Sequence, residues 1–233
     1  MFSVRQLYDL QLLDWDIQSH EQDLAETNSK LADDSARVAA KKRLDGLEAR
    51  LGELGPARRT AEAAVQQTEQ KLAAIDNRVY SGMITSAREL AAIEDEKTAL
   101  QQQHSDQEDE LLTLMVDTDE TQDNKDKAQT SFDSINSRRQ AELTELQSSH
   151  KTLTDELPGL YERREDVVDD YPPVALATYS MIAKQRGGQA VALVERDTCQ
   201  GCRIALARTE LQAVRDPEKI VQCGSCSRIL VLA

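Results

Sequence analysis

The sequence predicts a mainly α protein, a long antiparallel coiled-coil helical hairpin followed by a small cysteine-bearing lobe. Three observations predict it. Apolar residues recur at heptad spacing through most of residues 4–160. A glycine-containing break, VYSGMITSAREL at 79–90, falls near the middle of that span. All four cysteines lie in the last 35 residues.

Composition points the same way. The chain of 233 residues has a formal net charge of −14, with 30% charged and 3% aromatic residues. So few aromatics supply too little large apolar surface for one ordinary globule, whereas charged and Ala/Leu-rich sequence at helical spacing suits long helices. A regular apolar stripe argues against the disorder that an acidic chain could otherwise adopt. The first residues lack the apolar run of a signal peptide. No window approaches the roughly 20 apolar residues of a membrane span, so the expected location is the cytoplasm, away from membranes.

The first helix is read from Leu10, Ile17, Leu24, Leu31 and Val38, spaced by seven. A second register runs through Leu44, Leu47, Leu51 and Leu54, and a third through Val65, Leu72, Ile75 and Val79. Between these two lie Gly52, Gly55 and Pro56. A proline inside a helix removes a hydrogen bond and clashes with the preceding turn, at about 3 kcal/mol or more. A kink or short break is expected there.

The break at 79–86 reverses the chain. Gly82 can take the positive φ of a turn, and Ser86 with Glu89 forms a capping-box pattern for the next helix. That helix follows a ladder in steps of three and four from Leu90 through Ile93, Leu111, Ala128 and Ile135 to Leu153. Two paired helices of about 75 residues would each span roughly 110 Å. With paired positions summing to about 164, Lys41-Lys42-Arg43 should face Thr121–Asp123 and their neighbouring acids. The same heptads could pair between chains, but the central turn favours the hairpin. The oligomeric state is left open.

The lobe at 171–233 carries the most specific signal. Cys199 and Cys202, then Cys223 and Cys226, form two C-x2-C pairs separated by twenty residues. In a reducing compartment such pairs suggest metal more than disulfide, and this spacing is that of a zinc site. Gly201 and Gly224 are expected to give the two knuckles their conformational freedom. Four thiolates complete a tetrahedron and leave no place for water, so one Zn²⁺ here is structural. Iron is chemically possible for four thiolates, whereas a redox role for C-x-x-C would need a thioredoxin-like context that is missing. About 45 residues without an aromatic need an ion to stay folded.

Pro172-Pro173 opens a short helix through Met181 and Ile182 that ends at Gly187-Gly188. Ala190–Val194 reads as a strand, Leu206–Arg215 as a short helical stretch, and Asp216-Pro217 as a turn. Strands are expected around 220–222 and 229–232. The domains are thus 1–170, a hairpin with its turn near 79–86, and 171–233, a short helix plus a four-cysteine zinc ribbon.

The motifs YSGMITSAREL at 80–90, RGGQAVALV at 186–194, CQGCR at 199–203, VRDPEKIVQC at 214–223 and GSCSRIL at 224–230 resemble a bacterial family. Its members are coiled-coil hairpins ending in a C4-type zinc ribbon. The resemblance implies zinc on the four cysteines and a non-enzymatic adaptor role. It also implies links to flagellar or type III secretion regulation, to a sigma factor, and to RNA. This chain carries Leu-Val-Leu-Ala from residue 230, where such proteins commonly place an aromatic, and that weakens base stacking on the ribbon.

Two partner surfaces are expected. Tyr80, Met83 and Ile84 are unusually apolar for a turn, and either close the hairpin end on Val79 and Leu90 or meet a protein partner. Arg203, Arg208, Arg215, Lys219 and Arg228 could meet a partner or contact the phosphates of RNA. Residues 1–170 hold 20 basic and 37 acidic residues, against 8 and 5 in 171–233; only the lobe does not itself repel nucleic acid. An enzyme is disfavoured: His20, His104 and His150 are scattered, and neither a phosphate-cradling loop nor a nucleophile constellation is present. The leading expectation is an adaptor presenting a structural zinc ribbon to a protein partner, with RNA binding as the alternative.

Overall fold

The structure is a computed structural model that describes residues 2–82, 84 and 86–233. The chain forms two compact units, one of residues 34–142 and one of residues 1–33 with 143–233. Long helices dominate, α1 (Val4–Ala32), α2 (Ser35–Tyr80) and α3 (Ala87–Asp169). They are followed by α4 (Pro173–Gln185), β1 (Val191–Glu195), β2 (Thr198–Cys199), α5 (Arg208–Ala213) and β3 (Ile229–Leu232). The expected class, a helical hairpin with a C-terminal zinc ribbon, is the observed one. No helix among the described residues is long and apolar enough to cross a membrane. The expected boundary at 170/171 falls inside the second-named unit, just after α3.

In the 34–142 unit, α2 and the first part of α3 pair along the expected seam. Leu44, Leu54, Val65 and Ile75 are buried on α2, and Ile93 and Ala128 on α3. Polar seam positions find partners: the Thr68 hydroxyl donates to Gln107 Oε1 at 2.8 Å, and Lys97 Nζ donates to Asp76 Oδ1 at 2.5 Å. The turn lies where expected. Ser81 N–H closes α2 on Asn77 O, and Gly82 has φ +72°. Glu89, expected in a capping box, accepts from Arg78 Nη2 at 2.9 Å and so ties the two helix ends together.

Three expectations need correction. α2 runs unbroken through Pro56, because a lone missing hydrogen bond on an exposed helix face costs less than losing the packing of Leu54 and Ala61 on either side. The interruption falls instead at Asp33–Asp34. There the Asp34 carboxylate is held by Arg37 through Nε at 2.9 Å, and short acidic side chains compete with helical hydrogen bonding. Val38 is consequently off the seam, 57% exposed.

The cross-helix register is also displaced. Ala40 and Arg43 share a small cavity with Lys127, Ala128 and Ser131, more than a helical turn beyond the expected Thr121–Asp123. Asp117 instead lies 3.9 Å from Arg50, and Lys41 pairs with Asp45 in its own helix at 2.5 Å. Because α2 ends at Tyr80 and α3 begins at Ala87, the midpoint between the two helices lies beyond Gly82, where a symmetric fold would put it.

In the other unit, α1 begins with a capping box in which Ser3 N–H donates to Gln6 Oε1 at 2.7 Å. Its Leu13 and Ile17 pack on Leu157 of α3. Val4, Leu7 and Leu10 share one core with Tyr171 and Tyr179, and with Val191, Ile229 and Val231 of the sheet. The sheet order is β2-β1-β3, with β1 antiparallel to β2 and parallel to β3. Polar anchors fix this packing. Tyr179 OH donates to Asp14 Oδ2 at 2.7 Å, Arg164 Nε donates to Asp14 Oδ1 at 2.5 Å, and Tyr171 OH donates to Gln6 O at 2.9 Å. Burial raises the Tyr171 phenol to about 12, which keeps it a donor. The Gln11 amide, fully buried, bonds both backbone groups of Val191.

Candidate metal centre

Two loops of the same design carry the cysteines. In the first, Cys199 N–H donates to Ile204 O at 3.0 Å and Arg203 N–H to Cys199 O at 2.7 Å. The second repeats this with Cys223 N–H to Arg228 O and Ser227 N–H to Cys223 O, both 2.8 Å. β2 ends at Cys199 and β3 starts just after Arg228, so sheet pairing sets the spacing between the loops. The positive φ each loop needs falls at Arg203 (61°) and Ser227 (60°), one residue after the second cysteine. The expectation that Gly201 and Gly224 supply it is therefore corrected. Those glycines provide room instead. A Cβ on Gly201 would lie 2.7 Å from Arg228 Cδ and 3.1 Å from Ala192 Cβ, and one on Gly224 would lie 3.1 Å from Glu210 Oε1.

The four Sγ atoms lie within 4.8 Å of one another, with Cys199–Cys226 at 3.9 Å and Cys202–Cys223 at 3.8 Å. A regular tetrahedron with Zn–S bonds of about 2.3 Å has edges of about 3.8 Å. The donor set and its spacing fit one zinc ion. Cys199, Cys223 and Cys226 are buried over Ala192, Val194, Leu206 and Val214, which excludes water from the inner side of the cluster.

Burial and local hydrogen bonds pull the thiols in opposite directions. Burial pushes the Cys199 thiol up to about 12, against backbone N–H groups of Cys202 and Gly201 that favour the thiolate. Burial also acts upward on Cys226, but the Arg228 N–H and guanidinium, together with hydrogen bonds from Cys202 and Cys223, outweigh it and hold this thiol at about 7. Four thiolates and one divalent ion carry two net negative charges, and the amides and Arg228 face that charge.

Arg228 is thus part of the centre. Its Nε donates to Gln189 O at 3.0 Å and its Nη1 to Gly201 O at 3.2 Å. Sequence reasoning grouped it with surface cations; the structure separates it from them. Arg203, Arg208, Arg215 and Lys219 are exposed. Glu210 was missed altogether. Its Oε2 accepts from Ala207 N–H at 2.8 Å at the start of α5, and its Oε1 from Gly224 N–H at 2.7 Å in the second knuckle. At the hairpin turn Tyr80 is 85% exposed and so does not close the helix end by packing. Ile84 is half-buried, and Met83 lies outside the described residues.

Fold and site together define a coiled-coil hairpin protein with a structural four-thiolate zinc site. A family model described as CT398-like coiled coil hairpin domain matches residues 10–187, and one for a C4-type zinc ribbon domain matches residues 198–230. The chain belongs to the CT398-like coiled-coil hairpin family. Among solved structures it is similar to CT398 from Chlamydia trachomatis, with 20% identity and a TM-score of 0.79 over 99% of this chain and 97% of that one. It is also similar to a protein from Mycobacterium smegmatis, at 20% identity and a TM-score of 0.60 over the whole of both chains. The HP0958 protein from Helicobacter pylori shares 20% identity and a TM-score of 0.55 over 100% of this chain and 99% of that one. No curated protein gives a significant match.

Proposed function

We propose that this protein is a non-enzymatic adaptor of the cytoplasm, a coiled-coil spacer that presents its zinc ribbon to a protein partner. The closed four-thiolate set carries this reading: with every tetrahedral position taken by sulfur, the metal has no site for water or substrate and serves to hold a surface in shape. The charged faces of α2 and α3 suit a spacer, and the exposed Tyr80 at the turn offers a second contact point on the 34–142 unit. The resemblance set out above makes a sigma factor or a flagellar or secretion component the expected class of partner. RNA binding is the alternative, favoured by the four exposed cations of the ribbon.

Affinity purification of the tagged chain from its native cell, with and without RNase, tests the proposal. Retention of the same protein partners after RNase supports the adaptor. Loss of every partner on RNase treatment, with RNA recovered in stoichiometric amount, would establish the alternative instead.

A further inference from the structure

A concave surface on the 1–33/143–233 unit adjoins the metal centre and shares Val214 and Leu230 with the apolar layer beneath the cysteines. The first turn of α1, the turn after α5 and the strand β3 enclose a cavity of ≈180 Å³. Its walls are held by two bonds across the chain: Val4 N–H donates to Pro217 O at 2.8 Å, and Arg5 Nη1 donates to Leu232 O at 3.1 Å. The floor is apolar, with Val214, Leu230 and Val231 buried and Leu232 45% exposed. At the rim stand Arg5, Arg215 and Lys219, against the single carboxylate of Asp216. Neither Arg215 nor Lys219 has an ion-pair partner among the described residues. In a chain with a net charge of −14, three cations around one apolar hollow are a local inversion of sign.

Resting on the adaptor reading above, we infer that this cleft is the ribbon's docking site for an acidic peptide segment of the partner, one that inserts an aliphatic side chain. The chemistry is complementary on both counts. Carboxylates on either side of the inserted residue meet Arg5, Arg215 and Lys219, and the apolar floor gains from water released by an aliphatic group. Nucleic acid is disfavoured at this place because the hollow is aliphatic and offers no aromatic ring on which a base could stack.

The test uses the full-length, zinc-loaded chain and a short fluorescent peptide alternating Glu and Leu, read by anisotropy. Binding is expected, weakening as salt is raised. It should drop at least tenfold in the Arg215→Glu/Lys219→Glu variant and several-fold in Leu232→Ala. The variant Lys184→Glu/Arg186→Glu makes the same change of charge at exposed residues outside both the cleft and the metal centre and should bind as the wild type does. Zinc content and circular dichroism verify each fold, and Arg215→Ala/Lys219→Ala replaces the reversed pair if that one fails them. Equal losses in the two charge-reversed variants, equal binding of a Lys/Leu peptide, or displacement of the peptide by oligouridylate at lower concentration would each overturn the inference. If native partners are still captured by the Arg215→Glu/Lys219→Glu variant, the cleft assignment fails and the adaptor reading stands. If the wild type captures none, the adaptor reading itself fails.

Discussion

Gln11 of α1 and Val191 of β1, 180 positions apart, are joined by two hydrogen bonds, from Gln11 Nε2 to Val191 O at 3.1 Å and from Val191 N to Gln11 Oε1 at 2.6 Å. The side-chain amide serves as a strand neighbour for the stretch of β1 that β2 is too short to cover. Both partners are fully buried.

Replacing Gln11 with Leu should therefore strand a backbone N–H and a carbonyl without water. Each such buried group costs about 1–3 kcal/mol, so Gln11→Leu is expected to lose about 2–6 kcal/mol in urea unfolding. A variant as stable as the wild type would show that water reaches β1 at this edge.

Metal removal should act on one part of the molecule. One zinc per chain is expected by elemental analysis. A chelator, or Cys223→Ser, should abolish hydrogen-exchange protection in β2, α5 and the knuckles while α2 and the paired part of α3 stay protected. The apolar floor beneath the cysteines is too small to persist without the ion. Retained protection of 198–230 in a metal-free sample would contradict this account.

The two knuckle glycines should respond differently. Gly201→Ala drives a methyl into Arg228 and Ala192, and overpacking of this kind costs about 1–3 kcal/mol. Gly224→Ala meets only the end of the Glu210 side chain, which can shift. Competition with a colorimetric chelator should therefore show weaker zinc retention for Gly201→Ala than for Gly224→Ala. The reverse order would mean that Arg228 does not brace the site.

pH dependence is expected from His20. Its Nδ1 bonds the Asp16 carbonyl at 2.8 Å and its Nε2 approaches Glu156 at 3.3 Å. The backbone bond to Asp16, then Glu156, raise its pKa over the opposing effect of burial. The folded value thus exceeds the unfolded one of about 6.5. The stabilisation is full below about 6.5 and is lost as pH rises through the folded value. The difference in Tm between wild type and His20→Gln should be larger at about pH 6 than at about pH 8.5. A gap independent of pH would mean the imidazole is held neutral.

What could be read from the sequence was local or periodic. Cys199, Cys202, Cys223 and Cys226 announce themselves by spacing, and Gly82 by interrupting a helical pattern. Heptads such as Val65, Leu72 and Val79 report a face but not its partner, so the register could only be assumed symmetric, and it was not. Pro56 was weighed by its own cost without the flanking packing that outvotes it. Gln11, Glu210 and Arg228 act through contacts distant in sequence, for which no local pattern exists. The left-handed residues of the knuckles are an arginine and a serine, residue types that carry no sequence signature of that conformation.

Glu210 binds the first turn of α5 with one oxygen and the second knuckle with the other. A single carboxylate thus makes the melting of that short helix and the loosening of Cys223 and Cys226 one cooperative event. Half-open species, with the ion gripped by two sulfurs only, should be scarce at equilibrium. The ribbon is built to be either whole or gone, so a bound partner that steadies any portion of it steadies the grip on the metal too.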